Sequence, residues 1–131
     1  HAEMAANVPL AFPTYTWDAN KGNYSVVVNT DFVAHVKERF SPDEPILVMC
    51  RSGGRSAMAV NGLAKAGFAK VYNIFDGFEG DKVDDPESVH HGKRMRNGWK
   101  NSAPWTYQLD PKLVWLPSDV ELDTLRHTLD L

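Results

Sequence analysis

Two short apolar runs bracket the middle of the chain. Ile46-Leu47-Val48-Met49 is unbroken by any polar residue, and Val71-Tyr72-Asn73-Ile74 is nearly so. Runs of this length between polar stretches predict buried strands. From about Ser56 to Ala66 the chain is Ala-rich and carries Met58, Val60, Leu63 and Ala64, and Gly67 follows. That pattern predicts a helix ended by a glycine just past its last turn. Strand, helix and strand of this length fit a right-handed crossover between parallel strands. Upstream, Phe32, Val33, Val36 and Phe40 recur at helical spacing and stop before Ser41-Pro42. Thr30 is the expected N-cap of that helix, with Asp31 in its first turn. His35 is expected to face solvent or pack at the helix edge.

The remaining stretches read less regularly. Residues 11–29 are rich in Tyr, Thr and Asn, with one apolar patch at Val26-Val27-Val28, and are expected to form a long loop. Residues 81–98 are charged and aperiodic, and are expected to form another. Trp99, Trp105, Tyr107 and Trp115 suggest a strap that buries rings against the core. Val120, Leu122, Leu125 and Leu129 predict a terminal amphipathic helix capped by Ser118 or Asp119.

Composition narrows the function classes. A chain of 131 residues, 43% hydrophobic, suits one domain with one core. The net charge is −3 and no basic stripe runs through the sequence, which speaks against nucleic acid as a partner. No apolar run approaches the ~20 residues of a membrane span. The lone cysteine excludes an internal disulfide framework. His90-His91 are adjacent, with no Cys or carboxylate at ligand spacing, so neither a metal nor another cofactor is expected. Lys93-Arg94-Met95-Arg96 is read as a solvated basic face. The chain opens at His1 without an initiator methionine, so a processed or truncated start is expected. The compartment stays open between periplasm and cytoplasm, with a lean toward the periplasm.

Chemistry concentrates at Cys50-Arg51-Ser52-Gly53-Gly54-Arg55-Ser56, between the first apolar run and the helix. A loop entering a helix gathers unpaired backbone N–H groups at the positive end of the helix dipole. Such a loop binds anions and lowers a thiol pKa. Gly53 and Gly54 permit the tight curl, and Arg51 and Arg55 add positive charge. The pattern predicts a thiolate at Cys50 inside an anion cradle.

This loop, at the end of an apolar strand, resembles the active-site loop of the rhodanese family of sulfurtransferases. His1-Ala2-Glu3-Met4-Ala5-Ala6-Asn7-Val8-Pro9-Leu10 resembles the family's Gly-His-x-x-Gly-Ala-x-Asn-Ile/Val-Pro segment. Val71 to Gly80 resembles its late strand and following Gly-Gly-Phe turn, and Asn97 to Trp105 the tail of a single-domain subgroup. The resemblance covers about residues 1–105. It implies an α/β, three-layer fold with a central parallel sheet flanked by helices. It also implies that a core strand and helix precede residue 1, and that residues 1–131 form a single domain.

The resemblance implies a reaction as well. Cys50 would take the sulfane sulfur of thiosulfate as a persulfide and pass it to cyanide, a thiol or a sulfur-accepting protein. Arg51, Ser52, Gly53, Gly54, Arg55 and Ser56 would bind the donor. The alternatives are a persulfide carrier without turnover and a cysteine phosphatase. A phosphatase loop reads His-Cys-x5-Arg. Here Met49 precedes the cysteine and Arg55 comes one residue early, giving a smaller ring. Arsenate reduction lacks a second, resolving cysteine. Asp76 stands in the first place of the usual Gly-Gly pair and Asp81 near a usual Trp. Both are expected at the pocket rim, where they would bear on the choice of acceptor.

Overall fold

The computed structural model describes residues 1–115; the expected terminal helix at 119–129 lies outside them. The elements are β1 (Ala11–Asp18), β2 (Asn23–Val28), α1 (Phe32–Arg39), β3 (Ile46–Val48), α2 (Gly54–Lys65), β4 (Val71–Asn73), β5 (Asp81–Lys82) and β6 (Arg94–Arg96). Single 3₁₀ turns occupy Trp99–Asn101 and Pro111–Leu113. No helix among the described residues is long and apolar enough to cross a membrane.

The two apolar runs become the parallel pair β3–β4, with Ile46, Leu47 and Val48 opposite Val71, Tyr72 and Asn73. Side chains alternate between the faces of a strand. Ile46, Val48 and Val71 pack on a core built from Phe32 and Val36 of α1, Ala59 and Leu63 of α2, and Phe68. Both described helices therefore feed one face of this sheet. On the other face Leu47 and Tyr72 remain 65% and 55% exposed. The α/β class is as the sequence implies, but the described residues build only one of its two helical layers.

Three local expectations are corrected. Residues 11–29 are not a loop: β1 and β2 form an antiparallel hairpin with Ala11 opposite Val28 and Trp17 opposite Tyr24. Its turn is held by the Asp18 carboxylate, which accepts the Asn20 N–H at 3.0 Å, and by Gly22 at φ +64°, which suits glycine. The charged stretch 81–98 contains a second small antiparallel pair, β5–β6. Helix α1 is capped at Asp31 instead of Thr30, and the Asp31 N–H is taken by the Asn29 side chain.

His35 is buried instead of solvent-facing. Its ring stacks on Trp115 with centroids 4.1 Å apart. Trp115 also lies 6.3 Å from the Phe12 ring, tying the hairpin to α1. At this ring the aromatic tail packs on both α1 and the hairpin. Backbone bonds tie the strap to residues 1–7: Thr106 N–H to the His1 carbonyl, Asn7 N–H to the Leu113 carbonyl, and Trp115 N–H to the Asn7 carbonyl. At the other end Tyr107 stays exposed.

Only β4 pairs with β3 among the described residues. Val26–Val28 pairs with β1 and does not lie beside β3. Along the other edge of β3 runs an open cavity of about 950 Å³, between Ile46–Arg51 on one wall and the 1–8 and 106–114 segments on the other. One end of that cavity reaches Cys50.

Candidate active site

Cys50 follows β3 by two residues, and α2 begins at Gly54. The loop between them must reverse direction within a few residues. Gly53 makes that possible: it caps α2 with φ +100°, a conformation costly for any residue with a Cβ. A Cβ there would lie 2.7 Å from the Phe75 carbonyl carbon and nearer still to its oxygen. The turn after β4 thus presses directly on the loop. Gly77, at φ +69°, is also in close contact with the loop: a Cβ there would sit 2.6 Å from Arg51 and Ser52 backbone atoms. Two backbone bonds fasten the contact, Phe78 N–H to the Cys50 carbonyl at 2.7 Å and Glu79 N–H to the Arg51 carbonyl at 2.8 Å.

Hydrogen-bond donors converge on the sulfur. Gly53 N–H lies 3.1 Å and Ser56 Oγ 3.3 Å from Cys50 Sγ. Partial burial pushes the thiol up, since a thiolate loses hydration there. The Ser56 hydroxyl and the backbone N–H groups of Ser56, Ser52 and Gly53 together outweigh that and bring it from an ordinary 9.0 down to about 6. Cys50 is therefore largely a thiolate at neutral pH, the form in which sulfur is nucleophilic.

Ser56 is buried in the first turn of α2. Its hydroxyl lies 2.6 Å from Asn73 Oδ1 and 3.2 Å from the Gly53 carbonyl. Asn73 Nδ2 in turn donates to that carbonyl at 3.2 Å. Asn73 ends β4, so the second strand of the crossover braces the loop that the first strand begins.

Of the residues singled out from sequence, Cys50, Ser52, Gly53 and Ser56 meet at the sulfur. Gly54 opens α2 and is exposed. Arg51 and Arg55 are exposed, and neither forms an ion pair with a described residue. Arg51 borders the cavity that reaches Cys50; Arg55 does not. Asp76 acts as a brace, its carboxylate accepting the Gly98 N–H at 2.8 Å. Asp81 sits in β5 opposite Arg96. Phe78 lines the cavity and meets the Trp105 ring edge-on at 5.7 Å. Phe78 is marked in the sequence only as part of the stretch resembling the Gly-Gly-Phe turn, and Asn73 carries no signal beyond its place in an apolar strand. His90 and His91 belong to no group of three metal-ligating side chains among the described residues.

Comparison with known proteins points to the same segment. The family description "Rhodanese-like domain" matches residues 3–83. The chain is 37% identical over 78 residues to Uncharacterized protein RP600 of Rickettsia prowazekii, covering 59% of this chain and 52% of that protein. It is 37% identical over 78 residues to Thiosulfate sulfurtransferase 16, chloroplastic, of Arabidopsis thaliana, covering 60% and 58%. Among solved structures, that of Rv0390 from M. tuberculosis is similar at 33% identity and a TM-score of 0.50, covering 70% of this chain and 61% of that one. The chain thus spans little more than half the length of the curated relatives it matches. The matched stretch contains β3, the Cys50 loop, α2 and β4, the elements that build the sulfur site, and on that ground the chain belongs to the rhodanese-like family, among whose members are sulfurtransferases.

Proposed function

We propose that the chain is a sulfurtransferase that carries sulfane sulfur on Cys50. The observation behind this is a single cysteine whose sulfur is ringed by N–H and hydroxyl donors and held near pH 6 in its proton loss. In the first half-reaction the thiolate attacks the outer sulfur of thiosulfate. The new bond is Cys50 S–S; the bond that breaks is the donor's own S–S bond, and its electron pair leaves with sulfite. In the second, a thiophile such as cyanide or a thiol attacks the terminal sulfur and Cys50 leaves as thiolate. No net oxidation of the protein occurs, and ping-pong kinetics follow.

The donors around Sγ serve both half-reactions, since thiolate and persulfide are anions at nearly the same place. Arg51 and Arg55 are suited to a sulfonate because a guanidinium offers a fork of N–H groups to adjacent oxygens. Ser52 and Ser56 supply hydroxyl donors, and Gly53 and Gly54 admit the anion close to the backbone. A protein thiol as acceptor fits the same chemistry. It differs only in what meets Cys50 at the end of the cavity.

The test is intact mass after thiosulfate, in the wild-type chain and in Cys50→Ser. A gain of one sulfur atom that cyanide removes, absent in the variant, is the expected result. No gain, or a gain retained in Cys50→Ser, refutes the reading. Turnover with thiosulfate and cyanide separates an enzyme from a carrier. An aryl phosphate hydrolysed at a comparable Cys50-dependent rate would favour the phosphatase alternative.

A further inference from the structure

The Ser56 hydroxyl has one proton and three acceptors around it: Asn73 Oδ1 at 2.6 Å, the Gly53 carbonyl at 3.2 Å and Cys50 Sγ at 3.3 Å. A hydroxyl donates one strong hydrogen bond at a time. Which acceptor holds the proton depends on the orientation of the Asn73 amide, and chemistry settles that orientation. The Gly53 carbonyl only accepts, so the amide nitrogen must face it, as it does at 3.2 Å. The amide oxygen is then turned toward Ser56. Ser56 is buried, so water is a poor substitute for any of these partners.

While the sulfur carries its own proton, Sγ is a weak acceptor and the short bond to Asn73 Oδ1 is the better one. When the sulfur becomes an anion, it competes strongly, because hydrogen bonds to charged acceptors are about twice as strong as neutral ones. The hydroxyl then swings to Sγ and forfeits the bond to Asn73. We infer that Asn73 is a positioning residue for Cys50: its amide oxygen holds the Ser56 proton while the sulfur is neutral and yields it when the sulfur is charged.

This has a consequence of definite sign. The bond to Asn73 stabilises the neutral state of the site, so it works against thiolate formation. A residue of similar shape without the amide oxygen removes the short 2.6 Å bond and leaves only the longer one to the Gly53 carbonyl, at 3.2 Å, to compete with Sγ. Asn73→Leu should therefore acidify Cys50 by about half to one pH unit, the net worth of one neutral hydrogen bond. A brace that merely steadied the loop predicts the reverse. Losing the Nδ2 bond to Gly53 would loosen the N–H groups around Sγ and make the thiol less acidic.

The inference concerns ionisation of Cys50, on which the sulfur-transfer reading also depends. Its test needs no sulfur donor, so the two can fail separately. The rate of Cys50 alkylation by iodoacetamide is followed against pH in the wild-type chain, Asn73→Leu, Ser56→Ala and the double variant. The expected result is a midpoint lowered in Asn73→Leu, raised in Ser56→Ala, and the same in the double variant as in Ser56→Ala. A midpoint unchanged or raised in Asn73→Leu overturns the inference, as does a lowering that persists without the Ser56 hydroxyl. Asn73→Ala reads the same sign should the leucine variant not fold.

Discussion

Replacing Gly53 by alanine tests whether the sulfur loop depends on the geometry described. At φ +100° an alanine carries a backbone cost of about 1–2 kcal/mol. Its methyl group would also sit inside the contact distance of the Phe75 carbonyl, so the loop and the turn after β4 must separate by roughly an ångström or more. Of the bonds that end at Gly53, two that tie it to other parts of the site would be stretched: its N–H to Cys50 Sγ and its carbonyl from Asn73 Nδ2. Each is worth about 0.5–1.5 kcal/mol net. The variant should therefore lose about 2–5 kcal/mol, a large share of the ~5–15 kcal/mol typical of a domain. With roughly 4 °C per kcal/mol at this size, the melting temperature should fall by about 10–20 °C. Gly62 provides the control. It lies within α2, and a Cβ there meets nothing within 4 Å. Gly62→Ala should stabilise by about 0.5–1 kcal/mol, because alanine loses less backbone freedom in a helix. Thermal and urea unfolding of both variants read the two effects. If Gly53→Ala unfolds within 1 kcal/mol of the parent, or if both glycines respond alike, the account of this loop is wrong.

Arg51→Ala and Arg55→Ala should each raise the KM for thiosulfate about ten- to a hundredfold, the effect of one charge-assisted hydrogen bond of ~1.5–3 kcal/mol; steady-state kinetics that match the parent would remove the arginines from donor binding. The rate of sulfur loading should climb as pH rises through about 6 and level off above it, because the thiolate is the reactive form; a climb centred near the ordinary 9.0 of the thiol would contradict the donor ring around Sγ. The folded thiol is the more acidic one, so its contribution to stability is present above the unfolded value and is lost as pH falls through about 6, and Cys50→Ser should flatten that part of the stability–pH curve. Leu47→Lys should leave stability within about 0.5 kcal/mol, as expected of an exposed position; a loss above about 2 kcal/mol on urea unfolding would mean that this face of the sheet is covered in solution.

How much of this was visible in the sequence depended on whether the cause was local. The stretch from Ile46 to Ala66 was legible because each part acts through its neighbours: an apolar run makes a strand, two glycines permit a reversal, and a helical pattern follows. The hairpin 11–28 was not, although Tyr15, Trp17, Tyr24, Val26 and Val28 do fall on one face in a period of two. That face is exposed, so the pattern lacks the apolar-in, polar-out alternation by which a half-buried strand is recognised. Pro13 within the run also argues against a strand. For His35 the choice between facing solvent and packing was not readable locally, because the ring that stacks on it, Trp115, lies eighty positions on. Nothing in the helix around it announces that partner.

Asn73 shows the same divide within the site itself. In the sequence it is one polar residue in an apolar strand, where a surface position is the simplest reading. Its meaning comes from the crossover, which returns the chain beside its own beginning and sets the end of β4 against the start of α2. The sequence pattern singles out the thiol, because a cysteine at a helix entrance meets donors within six residues of it. It does not identify what restrains that activation, because the restraint arrives from a strand twenty-three residues later. A thiol tuned by local donors alone would be as acidic as its loop allows. In this fold the acidity is set jointly, by the loop that donates to sulfur and by the amide that competes for one of those donors.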